Sequence, residues 1–238
     1  MDKKTDNRRR MDNKDMPHNM SKRDMIRAAD FNFIKVLGEG SFGKVLQAER
    51  RGTDELYAVK VLRKDVIIQT DDLELPMTEK QVLALSGKPP FLVSLHSCFQ
   101  TMDRLFFVME YCKGGDLMYH MQVYGRFKES VAVNINVSAL QFLAKKPNNR
   151  LGAGRYARSE ITTNPFFRNI DWDKVEAKEM EPPIVPKIKH RKDISNFDKA
   201  FIGEKTDLTP TDKLFMMNLD QSDFIGFSYM NPEFITII

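Results

Sequence analysis

The chain has 238 residues, 42% of them hydrophobic and 29% charged, which is the composition of an ordinary globular protein with enough length to bury a core. Its formal net charge is +4, and nine Lys/Arg against six Asp in residues 1–30 supply three of those charges, so the rest is nearly neutral and a broad nucleic-acid footprint is not expected. Two cysteines, Cys98 and Cys112, are too few for a zinc finger or a disulfide framework; with no membrane-length apolar run and no apolar signal core, a cytoplasmic setting is expected.

In chain order, residues 1–29 are polar, charged and dotted with Met, and read as a disordered leader. From Asp30 the pattern turns β-rich. Phe31–Leu37, Lys44–Glu49, Leu56–Leu62, Leu92–Phe99 and Arg104–Tyr111 predict five strands, with Gly52-Thr53-Asp54 as the turn between the second and third. Leu75–Leu85 predicts a helix, on which Glu79 and Leu83 share a face. Ser130–Gln141 is ambiguous: Val131, Val133, Ile135 and Val137 alternate as in a strand, whereas Leu140 and Leu143 suit a helix. After Glu181 the chain is Pro-rich and weakly periodic, as in an extended tail wrapped on another surface; Pro183 and Pro186 read as a stiff linker. The expected architecture is α/β (α+β): a five-stranded antiparallel sheet with one main helix, a helical remnant and a tail. The expected divisions are 1–29, 30–128, 129–180 and 181–238.

The chemistry concentrates at Gly38-Glu39-Gly40-Ser41-Phe42-Gly43, which closes one predicted strand and opens the next. Glycines in a hairpin let backbone N–H groups come close to phosphates. Alone the pattern is weak. Here Val45 follows two residues after the last glycine, and Tyr57-Ala58-Val59-Lys60 follows at the spacing of a protein kinase, where a strand lysine holds the α- and β-phosphates. Such a lysine needs an acidic partner, and Glu79 is the candidate; a solvated lysine and a surface glutamate are the plainer alternatives. Leu37, Val45 and Ala58 would enclose an adenine ring and Met109 would back it. Glu110 and Cys112 would offer backbone groups to its edge, and Asp116 would take a ribose hydroxyl or a substrate arginine. Each could equally be core or hinge packing.

Phe31 to Phe127 resembles the small lobe of the protein kinase C family, its conventional subgroup in particular. The stretches that carry the resemblance are Asp54–Lys60, His96–Thr101, Val108–Tyr111 and Gly114–His120. Lys146–Gly152 and Pro165-Phe166-Phe167 resemble the end of that family's large lobe. Asn196-Phe197-Asp198, Leu208-Thr209-Pro210 and Phe224–Tyr229 resemble its C-terminal tail. The resemblance implies ATP and Mg as cofactors of a Ser/Thr kinase, with Thr209 and Ser228 as phosphosites. It implies that Phe224, Phe227 and Tyr229 fill a pocket beside the Glu79 helix and that Phe197 reaches the adenine edge. An upstream kinase or a chaperone would be met through the tail; no nucleic acid and no membrane segment are implied.

The same resemblance exposes a gap. There is no His-Arg-Asp with its Asn, no Asp-Phe-Gly and no Ala-Pro-Glu. His190-Arg191-Lys192-Asp193 interposes a lysine, and Asn231-Pro232-Glu233 lies beyond the phosphosite tail. Without those motifs the acceptor hydroxyl lacks its base and the metal ions lack their protein ligands, so no catalytic residue and no metal ligand are assigned. Arg150, which in the family pairs with the glutamate of Ala-Pro-Glu, has lost that partner. No Cys/His-rich zinc segment or acidic calcium loop is found in the sequence. Three readings stand: a working kinase, a non-catalytic nucleotide- or partner-binding fragment, and an incomplete gene model or splice product. The missing motifs favour kinase ancestry without activity.

Overall fold

The computed structural model describes residues 26–84, 91–125, 157–163, 167, 170–182 and 184–234. Most of the leader, all of Ser130–Gln141, Lys146–Gly152 with Arg150, and Pro165-Phe166 lie outside them. The strands are β1 (Phe31–Gly40), β2 (Gly43–Arg50), β3 (Leu56–Arg63), β4 (Leu95–Gln100), β5 (Arg104–Glu110) and β6 (Tyr229–Met230). The helices are α1 (Lys64–Gln69), α2 (Glu74–Leu83), α3 (Leu117–Tyr124), α4 (Ala157–Thr162), α5 (Trp172–Glu176), α6 (Lys199–Ile202) and α7 (Lys213–Met217). Residues up to Cys112, together with Asp198 onward, form one compact unit; Lys113–Phe197 forms another.

The first unit is an antiparallel sheet of order β1-β2-β3-β5-β4-β6. It has six strands where the sequence predicts five. The sixth comes from the tail, where Tyr229 pairs with Cys98 and Met230 with Ser97. Two residues carry too little periodicity to announce a strand, and the edge of β4 supplies the pairing instead.

Period-two alternation sorts the sheet into two apolar faces. On one, Val36, Leu46, Ala48, Val59, Val61, Phe106 and Val108 are buried together with Ile26 and Phe31, and Phe201, Leu208 and Met230 of the tail pack against them. On the other, Leu62, Leu105 and Phe107 join Ile67 of α1, Leu95, Cys98 and the tail rings Phe224 and Phe227. Phe107 and Phe227 meet edge to face, 5.1 Å between centroids. Pro76 falls in the first turn of α2, where a missing N–H costs nothing. In the second unit, α3 is capped by Asp116, whose carboxylate accepts from the Tyr119 N–H at 2.8 Å. α5 is capped likewise by Asp171.

Candidate nucleotide site

Cross-strand register lines up the predicted site residues. Val45 pairs with Lys60, Lys60 with Phe107, and Ala58 with Met109, so these side chains leave the sheet on the same face. Leu37 sits at a register shift between Val36 and Gly38 and is 6% exposed. The extra residue of a bulge turns a side chain out of strict alternation, and here it sends Leu37 inward.

The hairpin glycines divide into two kinds. A Cβ on Gly43 would fall 1.9 Å from the Val61 carbonyl oxygen, so this glycine is required by the crossing of the neighbouring strand. A Cβ on Gly38 or Gly40 would meet nothing within 4 Å, and neither has a positive φ. The fold makes no steric demand for glycine at those two positions. Ser41 is exposed at the tip and Phe42 folds back, half-buried, against the α1–α2 side.

The Lys60 ammonium lies 2.7 Å from both carboxylate oxygens of Glu79. The pair is about one-third exposed on each side, so it is worth little as stability and more as orientation. It lines a cleft of about 310 Å³ with Phe42, Leu62, Ile67, Asp72, Leu75, Pro76 and Thr78. Of the predicted nucleotide-site residues this cleft takes in Phe42, Lys60 and Glu79, and none of Leu37, Val45, Ala58 or Met109.

The remaining predicted residues are spread more widely. Met109 is half-buried; Glu110 is exposed, its N–H held by the Ser94 carbonyl at 2.9 Å, and Cys112 is exposed at the end of the unit. Asp116 belongs to the second unit, where one of its oxygens is engaged as the α3 cap. There too the side-chain amide of Asn196 donates to the Lys113 and Lys187 carbonyls, and Gly115, at φ +76°, leaves room for the Asn196 carbonyl. Phe197 is buried in that unit. Asp193 of the false catalytic loop accepts from the Lys189 and Ser195 N–H groups, which hold its carboxyl down at about 2; it shapes a turn. Among the described residues no group of three or more His, Cys, Asp or Glu side chains could hold a metal ion.

The tail docks by polar contacts that sequence reading missed. Lys64 is fully buried; its ammonium donates to Oε1 of Gln100 at 2.7 Å and of Gln221 at 2.6 Å and sits 4.5 Å from the Phe224 ring centroid. Burial pulls its pKa down to about 8, partly opposed by Asp103. Gln100 also donates to the Phe224 carbonyl at 2.9 Å, and Lys80 to the Gly226 carbonyl. Asp65, 1% exposed, accepts from Arg63 and from the Asp212 N–H. Burial alone would raise its pKa, but those donors with the Val66 N–H outweigh it and the pKa is lowered. Thr209 and Ser228 are exposed, and the Thr209 carbonyl accepts from Arg104. Gln100 and Gln221 could have been sought among the polar residues that flank the aromatic runs, but no periodicity marks a buried lysine such as Lys64.

Comparison with known proteins bears on both halves. Residues 31–147 match the protein kinase domain, and residues 188–229 match the protein kinase C terminal domain. The chain is similar to the protein kinase C eye isozyme of Drosophila melanogaster, with 56% identity over 359 aligned residues that take in 100% of this chain and 51% of that protein. It is 33% identical to protein kinase C-like 1B of Caenorhabditis elegans, covering 86% of this chain and 46% of that one. With protein kinase C epsilon type of Rattus norvegicus the identity is 32%, over 86% and 44%. The chain therefore spans about half the length of the curated relatives it matches. An alignment of 359 positions to a chain of 238 leaves at least 121 positions, 359 less 238, opposite no residue of this chain.

Proposed function

The chain belongs to the protein kinase C family of serine/threonine protein kinases, and on that premise we propose that it acts as a nucleotide-binding small lobe with a docked tail and does not itself transfer phosphoryl groups. The observation that carries the nucleotide half is the two-oxygen Lys60–Glu79 pair under a hairpin whose Gly38 and Gly40 have no internal reason to be glycine. Backbone N–H groups of residues 38–43 would cover the phosphates and Lys60 would fix them. Leu37, Val45, Ala58 and Met109 would enclose the adenine, with backbone groups of Glu110 and Cys112 at its edge. ATP brings the transferable phosphate when bound; Mg in this family relies on ligands from the Asp-Phe-Gly aspartate and the catalytic-loop asparagine, for which the sequence has no match.

The inactive half rests on that absence and on the aligned positions that this chain lacks. The rival reading, a working kinase, is favoured by the family alone. A radiolabelled ATP assay on a basic peptide separates them: no transfer above background is expected. Transfer that disappears in Lys60→Met would overturn the proposal, because activity of a contaminating kinase would survive that change. Exposed Thr209 and Ser228 are the positions we assign to modification by an upstream kinase, and the docked tail is the surface we assign to an upstream kinase or chaperone. No described helix is long and apolar enough to cross a membrane. A cytoplasmic setting is part of the same proposal and fits two free cysteines.

A further inference from the structure

The glycine hairpin is gripped from behind by the tail. Alternation sends Val45 to the face that carries Lys60, and sends its neighbour Lys44, paired with Val61, to the opposite face. There the Lys44 ammonium lies 2.6 Å from the Glu204 carboxylate of the tail and 3.9 Å from Glu39, its direct cross-strand partner. The Lys44 and Glu204 side chains are only 15% and 30% exposed, so water screens them incompletely. Glu204 does not stand alone. It follows α6, which packs along β1, and Phe201 and Leu208 on either side of it are set into the apolar cluster of Phe31, Val36 and Leu46.

Lys44 therefore has two carboxylates to choose between. With Glu204 it ties the hairpin to the tail; with Glu39 it closes a bond inside the hairpin and leaves the tail out. Gly38 and Gly40 contribute no side-chain contact, and on the nucleotide side the hairpin is held at its tip by Phe42, whose ring packs against the cluster of Leu62, Ile67 and Phe107 and whose carbonyl accepts from the Arg63 N–H at 2.9 Å. We propose that Glu204 is a positioning residue for the nucleotide hairpin: its ion pair with Lys44 holds the hairpin from the face opposite the phosphates, so that the docked tail raises nucleotide affinity. The role rests on the reading that residues 38–43 cover phosphates. It acts through Lys44 and the β2 backbone and needs no contact between Glu204 and the ligand.

The test uses the full chain with Glu204→Gln, Lys44→Met, and the reversed pair Lys44→Glu with Glu204→Lys. Two quantities are read: amide hydrogen exchange of residues 38–45, and affinity for a fluorescent ATP analogue. Glu204→Gln should speed exchange across the hairpin and weaken the analogue by about twofold to thirtyfold, the usual range for coupling of this kind. The reversed pair should recover both in part, because a carboxylate at position 44 also faces Glu39 across the hairpin, and melting temperatures should stay close to that of the parent chain, since a part-exposed pair adds little stability. Unchanged hairpin exchange in Glu204→Gln overturns the brace. Faster exchange with unchanged affinity overturns its link to the nucleotide. If the parent chain and Lys60→Met bind the analogue alike, the nucleotide reading itself fails and the positioning role falls with it, a result recognisable because the exchange effect would persist.

Discussion

Gly38 and Gly43 look equivalent in the sequence and are not equivalent in space. Gly43→Ala must displace the Val61 carbonyl and should cost at least 1–3 kcal/mol, on the scale of overpacking, visible as a lower melting temperature. Gly38→Ala and Gly40→Ala meet no atom and should leave melting within about a degree, since surface changes of this kind stay within ~0.5 kcal/mol. If the hairpin covers phosphates, the same two changes should weaken an ATP analogue; equal binding by parent and variants would show that backbone approach is not used there. Lys64 gives a second contrast. Its pKa is near 8 in the folded chain against an ordinary 10.5, so between those values the folded state binds fewer protons than the unfolded state. Stability from this group therefore rises with pH through that window, by up to about 3 kcal/mol, and is flat below it. Denaturant titrations at pH 7.5 and 10.5 should show that slope in the parent chain and lose it in Lys64→Met. Equal slopes would mean that Lys64 is solvated and that Gln100 and Gln221 do not enclose it.

At the level of elements, the tail rings test whether the tail is part of the folded lobe. Phe224 and Phe227 are 2% and 0% exposed among Leu62, Ile67, Leu105 and Phe107. Each Phe→Ala change at such a site costs roughly 3–5 kcal/mol, so the double variant should melt many degrees lower and expose residues 198–234 to protease. Unchanged melting and proteolysis would mean that the tail is undocked in solution. The docked rings are expected from the resemblance of Phe224–Tyr229 to the family's tail, and the five predicted strands from their alternation. α1 was not legible: Lys64-Asp65-Val66-Ile67-Ile68-Gln69 is short and puts two charges where burial is complete, so neither period nor polarity marks it. α3 was read only as a motif, because its cap, Asp116, looked like a ligand residue and its apolar pattern is nearly continuous. The sixth strand depends on the edge of β4 and on a segment some 130 residues away, a pairing that no local pattern encodes. The polar latch of Lys64, Gln100 and Gln221 is hidden for the same reason: its members are uncharacteristic of a core one by one and make sense only together.

On the scale of the whole molecule, the match to the Drosophila relative leaves at least 121 aligned positions opposite no residue of this chain. The first unit carries the hairpin, Lys60 and the edge of β5, which are the parts we assign to adenine and phosphates. Metal ions enter phosphoryl transfer through carboxylate and amide ligands of the other lobe, and through them neutralise the charge on the β- and γ-phosphates. A site with the first set and without the second should bind the nucleotide mainly through its base and through Lys60. Its affinity should then be weak and nearly indifferent to magnesium, and ADP should bind about as well as ATP, because little protein reaches the terminal phosphate. A fluorescent ATP analogue titrated with and without magnesium, and competed with ADP, measures all three properties. Binding that tightens tenfold or more with magnesium would require metal ligands from residues other than those assigned here, and would make the chain a candidate for phosphoryl transfer after all.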